Sequence, residues 1–231
     1  MSISFKIYVP SEVSTDLKTS GGGIQLDNLK GIETFTTSGG GLQLDHLAGT
    51  IHGRTSGGGI QVFNSSEDID LSTSGGGIEA KNCNGHIKLV TSGGGLELHD
   101  LKGDIRAHTS GGGVDGANIE GELITGTSGG SIDLKHMSCS LDANTSGGSL
   151  YAQMEQVGKY LKLSASSGNV DIELPAKQGL DLDLSGERVD QHDFNGFKGD
   201  FDKHHVRGSV NGGGALVEAH ASSGDVNVKF R

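Results

Sequence analysis

The stretch Thr91-Ser92-Gly93-Gly94-Gly95-Leu96-Glu97-Leu98 decides the fold. Its opening Thr-Ser-Gly-Gly recurs from Thr19, Thr37, Thr55, Thr73, Thr91, Thr109, Thr127 and Thr145, each start 18 residues after the last. Eight copies without a slip mean one structural unit laid down eight times, the signature of a stacked-repeat fold.

Each coil is numbered from its Thr as position 1. Position 6 is then Ile24, Leu42, Ile60, Ile78, Leu96, Val114, Ile132 and Leu150. Position 8 is Leu26, Leu44, Val62, Ala80, Leu98, Gly116, Leu134 and Ala152. Between them, position 7 is polar or amphipathic: Gln25, Gln43, Gln61, Glu79, Glu97, Asp115, Asp133 and Tyr151. That alternation has the period of a strand with one buried face. Position 11 adds Leu29, Leu47, Leu101, Ile119 and Met137, and position 13 is mostly glycine. A second strand carries Ile51, Ile69, Ile87, Ile105, Leu123 and Leu141 at position 15. Position 17 is small or apolar, and continuing the alternation turns the position-1 Thr inward. The Gly triplet is expected to supply backbone angles that other residues avoid. Recurrent glycine and the lack of helical spacing exclude an amphipathic helix. The reading is all-β: a single-stranded parallel β-solenoid (β-helix) of either hand with 18-residue coils, in which neighbouring coils share one apolar file.

The whole chain, 1–231, reads as one solenoid domain. Residues 1–18 are expected to form a leading strand with a turn at Pro10-Ser11, covering the first rung. Residues 19–162 hold the eight regular coils. Residues 163–231 keep β alternation, as in Val170-Asp171-Ile172-Glu173-Leu174, but lose the period, and read as a cap. Glu187 to Arg207, with His192, His204 and His205, reads as an exposed excursion or hairpin. Glu33 occupies position 15 of the first coil, so Ile32 is expected to take the inward place through a one-residue shift. Glu67 replaces the position-13 glycine, and extra residues within Met154–Tyr160 are expected to bulge the eighth coil.

Composition agrees with this thin-cored body. There are 41 glycines, only two prolines, and 32% hydrophobic residues. The net charge of −11 and the lack of long basic runs argue against nucleic acid and anionic membrane surfaces as partners. No apolar stretch is long enough to cross a bilayer, so membrane insertion is not expected. Ser2 to Pro10 alternates like a strand and lacks the apolar segment of a leader, as would a cytoplasmic protein or a domain already freed of its leader. Cys83 and Cys139 fall on inward positions three coils apart, roughly 14 Å at ~4.8 Å per rung, too far for a disulfide.

The repeated Thr-Ser-Gly-Gly-Gly-Ile-x-Leu units end in Ser166-Ser167-Gly168-Asn169-Val170-Asp171-Ile172 and Ser222-Ser223-Gly224-Asp225-Val226-Asn227-Val228. In these the chain resembles a bacterial adhesin-type family of β-repeat proteins, largely of unknown function. The resemblance covers residues 1 to 231. It implies a parallel β-solenoid exported to the cell envelope or surface, where protein or glycan would be the partner. It carries no catalytic residues.

Histidines and acids invite other readings. His46 and His136 at position 10 and His99 at position 9 have no second ligand at convincing spacing, and His204-His205 point apart on a strand. The Thr-Ser-Gly-Gly corner lacks the Lys and the helix of a phosphate loop. Glu79, Glu97, Asp115 and Asp133 would stack as a file of like charge, a solvated face or a cation site. Asp27, Asp45 and Asp70 add further acids. The rival function is a β-helix carbohydrate-active enzyme, which needs two carboxylates gathered in a groove. Against it stands the absence of Trp, with three Tyr and seven Phe, few of them on outward positions. An ice-binding face would need the Thr column outward, whereas the alternation turns it inward. No residue is assigned as catalytic, cofactor-binding or metal-ligating. The expected role is a non-enzymatic structural or binding module.

Overall fold

Parallel pairing turns the 18-residue period into a stack of rungs. The computed structural model describes the backbone of residues 4–192 and 196–231, and the side chains of all of these but 191 and 192. The first strand, β1 (Thr15–Thr19), lies on the second half of β2 (Ile24–Thr37), which pairs with β3 (Leu42–Thr55). The next two coils are each split in two: β4 (Ile60–Phe63) with β5 (Ser66–Thr73), and β6 (Ile78–Lys81) with β7 (Asn84–Thr91). Strands β8 (Leu96–Thr109), β9 (Val114–Thr127), β10 (Ile132–Thr145) and β11 (Leu150–Ala165) follow. From β2 to β10 the register is i to i+18, as in Ile24↔Leu42, Glu79↔Glu97 and Ile105↔Leu123. No helix occurs among the described residues.

The apolar residues expected inward at positions 6, 8, 11, 15 and 17 are buried. Leu42, Leu44, Leu47 and Ile51 are each at most 1% exposed, and Leu98 is fully buried between smaller neighbours, Ala80 and Gly116. Gly53 makes room for Phe35: a Cβ there would sit 2.1 Å from the Phe35 ring.

The Thr column is buried too from Thr37 onward, and it acts as a tie between rungs. Thr91 Oγ1 donates to the Gly76 carbonyl of the preceding coil (2.7 Å) and accepts from Gly94 N (3.3 Å). The same pair of bonds recurs at Thr37, Thr55, Thr109, Thr127 and Thr145, and Thr73 makes the donation to the Gly58 carbonyl.

The Gly triplet has a different cause from the one expected. None of its residues has a positive φ. Its middle glycine is required by close approach: a Cβ on Gly94 would lie 2.2 Å from the Gly76 carbonyl oxygen, and the same clash is met at Gly40, Gly58, Gly76, Gly112, Gly130 and Gly148. Left-handed backbone is used at the other corner. Position 10 has φ between 51° and 58° at Asn28, His46, Asn64, Asn82, Asp100, Asn118 and His136. Such angles are tolerated best by Asn, Asp and His among side-chain-bearing residues. Position 13 has φ of 106° to 124° at Gly49, Gly85, Gly103 and Gly121, and Glu67 is held there at 84°.

Two expectations fail at the margins. Ile32 does not take the inward place: it is 57% exposed, while Glu33 is fully buried opposite Ile51. The register of β2 is locked on both sides, so a one-residue slip would turn every later side chain of the strand to the wrong face. Glu33 accepts a hydrogen bond from Thr15 Oγ1, but its Oε1 has no partner. Secondly, the leading segment covers only the second half of the first rung. Only Thr15–Thr19 and the Glu12↔Lys30 bridge pair with β2, and residues 4–10 form no strand; Met1–Ile3 lie outside the described residues. The bulge in the eighth coil falls where expected: the offset grows from 18 at Cys139↔Val157 to 20 at Leu141↔Leu161.

The C-terminal region departs in topology. After β11 the chain forms β12 (Val170–Leu174), then β13 (Leu180–Ser185) and β14 (Arg188–His192). A hairpin of β15 (Lys198–Phe201) and β16 (His205–Val210) packs antiparallel on β13. Thus the Glu187–Arg207 stretch is partly a rung and partly a hairpin; Asp193–Asn195 lie outside the described residues. The last coil, β17 (Ala215–Ala221) and β18 (Asp225–Phe230), is not outermost. β17 lies between β11 and β13, and β18 between β12 and β14. The chain therefore skips one rung, builds the next, and returns to fill the gap. Gly168 and Gly224 repeat the close approach of the regular corners there.

Candidate functional site

The outward side chains form columns because each rung repeats the register of the last. The expected acidic column is real: Glu79, Glu97, Asp115 and Asp133 are successive partners. It opens with amides, Gln43 donating to Gln61 (3.4 Å) and Gln61 to Glu79 (2.9 Å). A shallow groove of about 420 Å³ runs beside Gln43, Gln61, Glu79 and Glu97 against the Gly corner. At the far end Lys135 pairs with Asp133 at 2.9 Å, and that hydrogen bond raises the Lys135 pKa.

The histidines are placed by the backbone. His46 and His136 occupy the left-handed corner, which explains their shared position without a ligand. His46 Nδ1 lies 2.9 Å from Asp45, and Asp27 completes the one three-residue group among the described residues whose ligand atoms converge within 4.8 Å. All three side chains are exposed or half-exposed. The Asp45 carboxyl is held below its usual value, chiefly by the Asn64 amide that donates to it at 2.8 Å. His136 bonds Glu155, which Arg231 also contacts. His99 lies beside that corner and is not part of the converging group. His204 and His205 donate their backbone amides to Asp202, lowering its pKa. Of His192 only the backbone is described.

The second groove, about 370 Å³, was not legible in the repeat because it spans the inserted rung. Its columns are Asp142, Lys162, Glu218 and Asp183 on one line, and Ser164, His220 and Ser185 on the next. Leu163 and Ala219, both buried, form the floor. Lys162 Nζ pairs with Glu218 at 3.1 Å, and Arg207 approaches Asp183 at 3.8 Å. His220 bridges two hydroxyls, Nδ1 to Ser185 at 2.8 Å and Nε2 to Ser222 at 3.0 Å. Both of its ring nitrogens are engaged by hydroxyls, so no carboxylate orients it as in a nucleophile–base–acid relay. On the neighbouring rungs Tyr160 donates to Glu122 at 2.6 Å, and that bond holds its pKa up at about 12. Sequence reasoning missed this groove, since Lys162 and Glu218 are 56 residues apart and meet only through the return of β17.

Both cysteines are free and buried, and burial pushes the Cys139 thiol up to about 12 and raises that of Cys83.

This architecture defines a parallel β-solenoid whose repeat residues are consumed by corners, ties and core. The chain belongs to the Toastrack DUF4097 family, whose model matches residues 4–229. No curated protein and no solved structure matches the chain. Family and fold together support a repeat structural or binding module.

Proposed function

We propose that the protein is a non-enzymatic, adhesin-like binding module of a bacterial cell envelope or surface, with protein or glycan as its partner. One observation carries the reading: outward side chains stand in register down rigid faces, and the groove over Asp142, Lys162, Glu218 and Asp183 presents charges and hydroxyls on such a face. Sheets of this kind hold polar groups at fixed spacing, about 4.8 Å from rung to rung, so an extended polymer or strand meets a preorganised row. The rival, a carbohydrate-active enzyme, finds carboxylates in the same groove. There Asp183 and Glu218 are neighbours on an open face, and Glu218 is paired with Lys162, whereas glycoside cleavage uses two carboxyls on opposite sides of the scissile bond.

Incubating the purified chain with envelope polysaccharides and a glycan array tests both. The expected result is retention that weakens in Lys162→Glu, with polymer length unchanged. Cleavage products that disappear in Asp183→Asn would establish the enzyme instead. Protease accessibility on intact cells tests the location, and a purely cytoplasmic protein would overturn that part.

A further inference from the structure

The two ends of the solenoid are finished differently. At the C-terminal end the antiparallel hairpin β15–β16 packs on β13, one half of the last rung, and its outer strand carries Lys198 and Asp200 beside Phe201, all exposed. Charged, short edge strands discourage further pairing. At the other end the first half of β2, Ile24 to Asp27, pairs only with β3 among the described residues. Its opposite edge has no partner strand among the described residues. The apolar file beneath is thinly covered there: Ile24, Leu26 and Leu29 are 9%, 7% and 8% exposed, against 1% for Leu42, Leu44 and Leu47 in the next coil.

The segment that precedes β1 has strand alternation and no partner strand. Phe5 is 86% exposed, Ile7 74%, Tyr8 82% and Val9 43%. Two features prevent it from covering its own coil. Residues 12 to 19 follow the i to i+18 register, and continuing it would set Lys6 and Tyr8 over Ile24 and Leu26, turning Ile7 and Val9 outward. In addition, Pro10 stands 18 residues before Asn28, at the corner where the first seven regular coils have φ above 50°. A proline ring fixes φ near −65° and cannot make that turn.

A second copy is free of both constraints. We propose that Phe5–Val9 of one copy adds as a strand to the Ile24–Asp27 edge of another, reciprocally, giving a closed dimer joined at the N-terminal ends. In that pairing Phe5, Ile7 and Val9 share the face of Ile24 and Leu26 and cover the thin end of the core. Lys6 falls on the outward side, beside Gln25 and the opposite charge of Asp27. The exchange is isologous, so it closes on itself, and the charged hairpin at the far end does not extend it into a fibre. The inference is independent of any ligand on the solenoid faces.

Sedimentation equilibrium over a wide concentration range tests it. A reversible dimer is expected, with Ile7→Asp raising its Kd roughly thirtyfold or more, as for loss of one interface anchor. The melting temperature of the Ile7→Asp monomer should match that of the dissociated parent, because Ile7 is largely exposed in the single chain. Mixing Lys6→Cys with Gln25→Cys under mild oxidation should yield a disulfide between copies. A parent that stays monomeric up to millimolar concentration overturns the proposal. So does a dimer indifferent to Ile7→Asp, or a bridge within one chain when both cysteines are placed in the same copy.

Discussion

Replacing Glu33 by Ile should stabilise the protein. Every later regular coil carries Ile or Leu at this position, and Glu33 is fully buried against β1 with Oε1 unpartnered. A buried polar group without a partner costs about 1–3 kcal/mol, and burying a branched aliphatic side chain contributes about 1.5–3 kcal/mol. Against this, Thr15 Oγ1 loses its acceptor, a loss of about 1 kcal/mol. The net gain is about 1.5–5 kcal/mol. For a chain of this length each kcal/mol moves the midpoint by about 2–4 °C, so Glu33→Ile should melt several degrees higher if the first coil unfolds with the rest. Terminal rungs of a solenoid also fray alone, so amide exchange at Leu17 and Phe35, which pair across the same rung, should be followed beside the thermal melt. Glu33→Gln, which keeps a buried polar group, should gain much less. A melt lowered by Glu33→Ile, with faster exchange at Leu17, would refute the reasoning and mean that the carboxylate holds the N-terminal strand in place.

Other expectations follow from the same packing. Leu98→Ala should cost about 2–5 kcal/mol by urea unfolding, and Glu97→Ala next to none; equal losses would mean the faces are misassigned. Gly94→Ala should be far worse than Gly95→Ala, because its Cβ would lie 2.2 Å from a carbonyl oxygen against 3.3 Å; circular dichroism and expression yield would separate them. Removing residues 215–231 should unfold the C-terminal region and expose apolar surface to dye, since β12 and β14 would be left about two rung spacings, or ~10 Å, apart. A truncated chain that melts like the parent would contradict the inserted coil.

The core was legible because two periods coincide. Alternation of 2 selects the face, and the repeat of 18 puts like residues above one another, so Leu42, Ile51 and Thr91 are assigned inward without coordinates. What stayed hidden had no periodic signal. The Gly triplet looked like a demand for unusual φ, but crowding between rungs is a property of the stack and is invisible in one coil. At position 10 the sequence drew attention only to His46 and His136; the φ values unite them with Asn28, Asn64, Asn82, Asp100 and Asn118 as one corner. The return of β17 and β18 between earlier strands depends on pairing partners 56 residues away, and no local pattern encodes it. The candidate site was barely legible for the same reason. Its residues come from four rungs, one of them out of order, and their types are ordinary surface polar groups.

The central claim is that each 18-residue coil is an interchangeable rung held by register alone. Deleting residues 91–108, one whole coil, tests it most directly, because Val90 then runs into Thr109 with the pattern intact. The account predicts a soluble, β-rich protein with a cooperative melt somewhat below that of the parent. Deleting residues 91–99, half a coil, should abolish folding, since every later corner falls out of step. A whole-coil deletion that fails to fold, or a half-coil deletion that folds equally well, would contradict the stacked architecture.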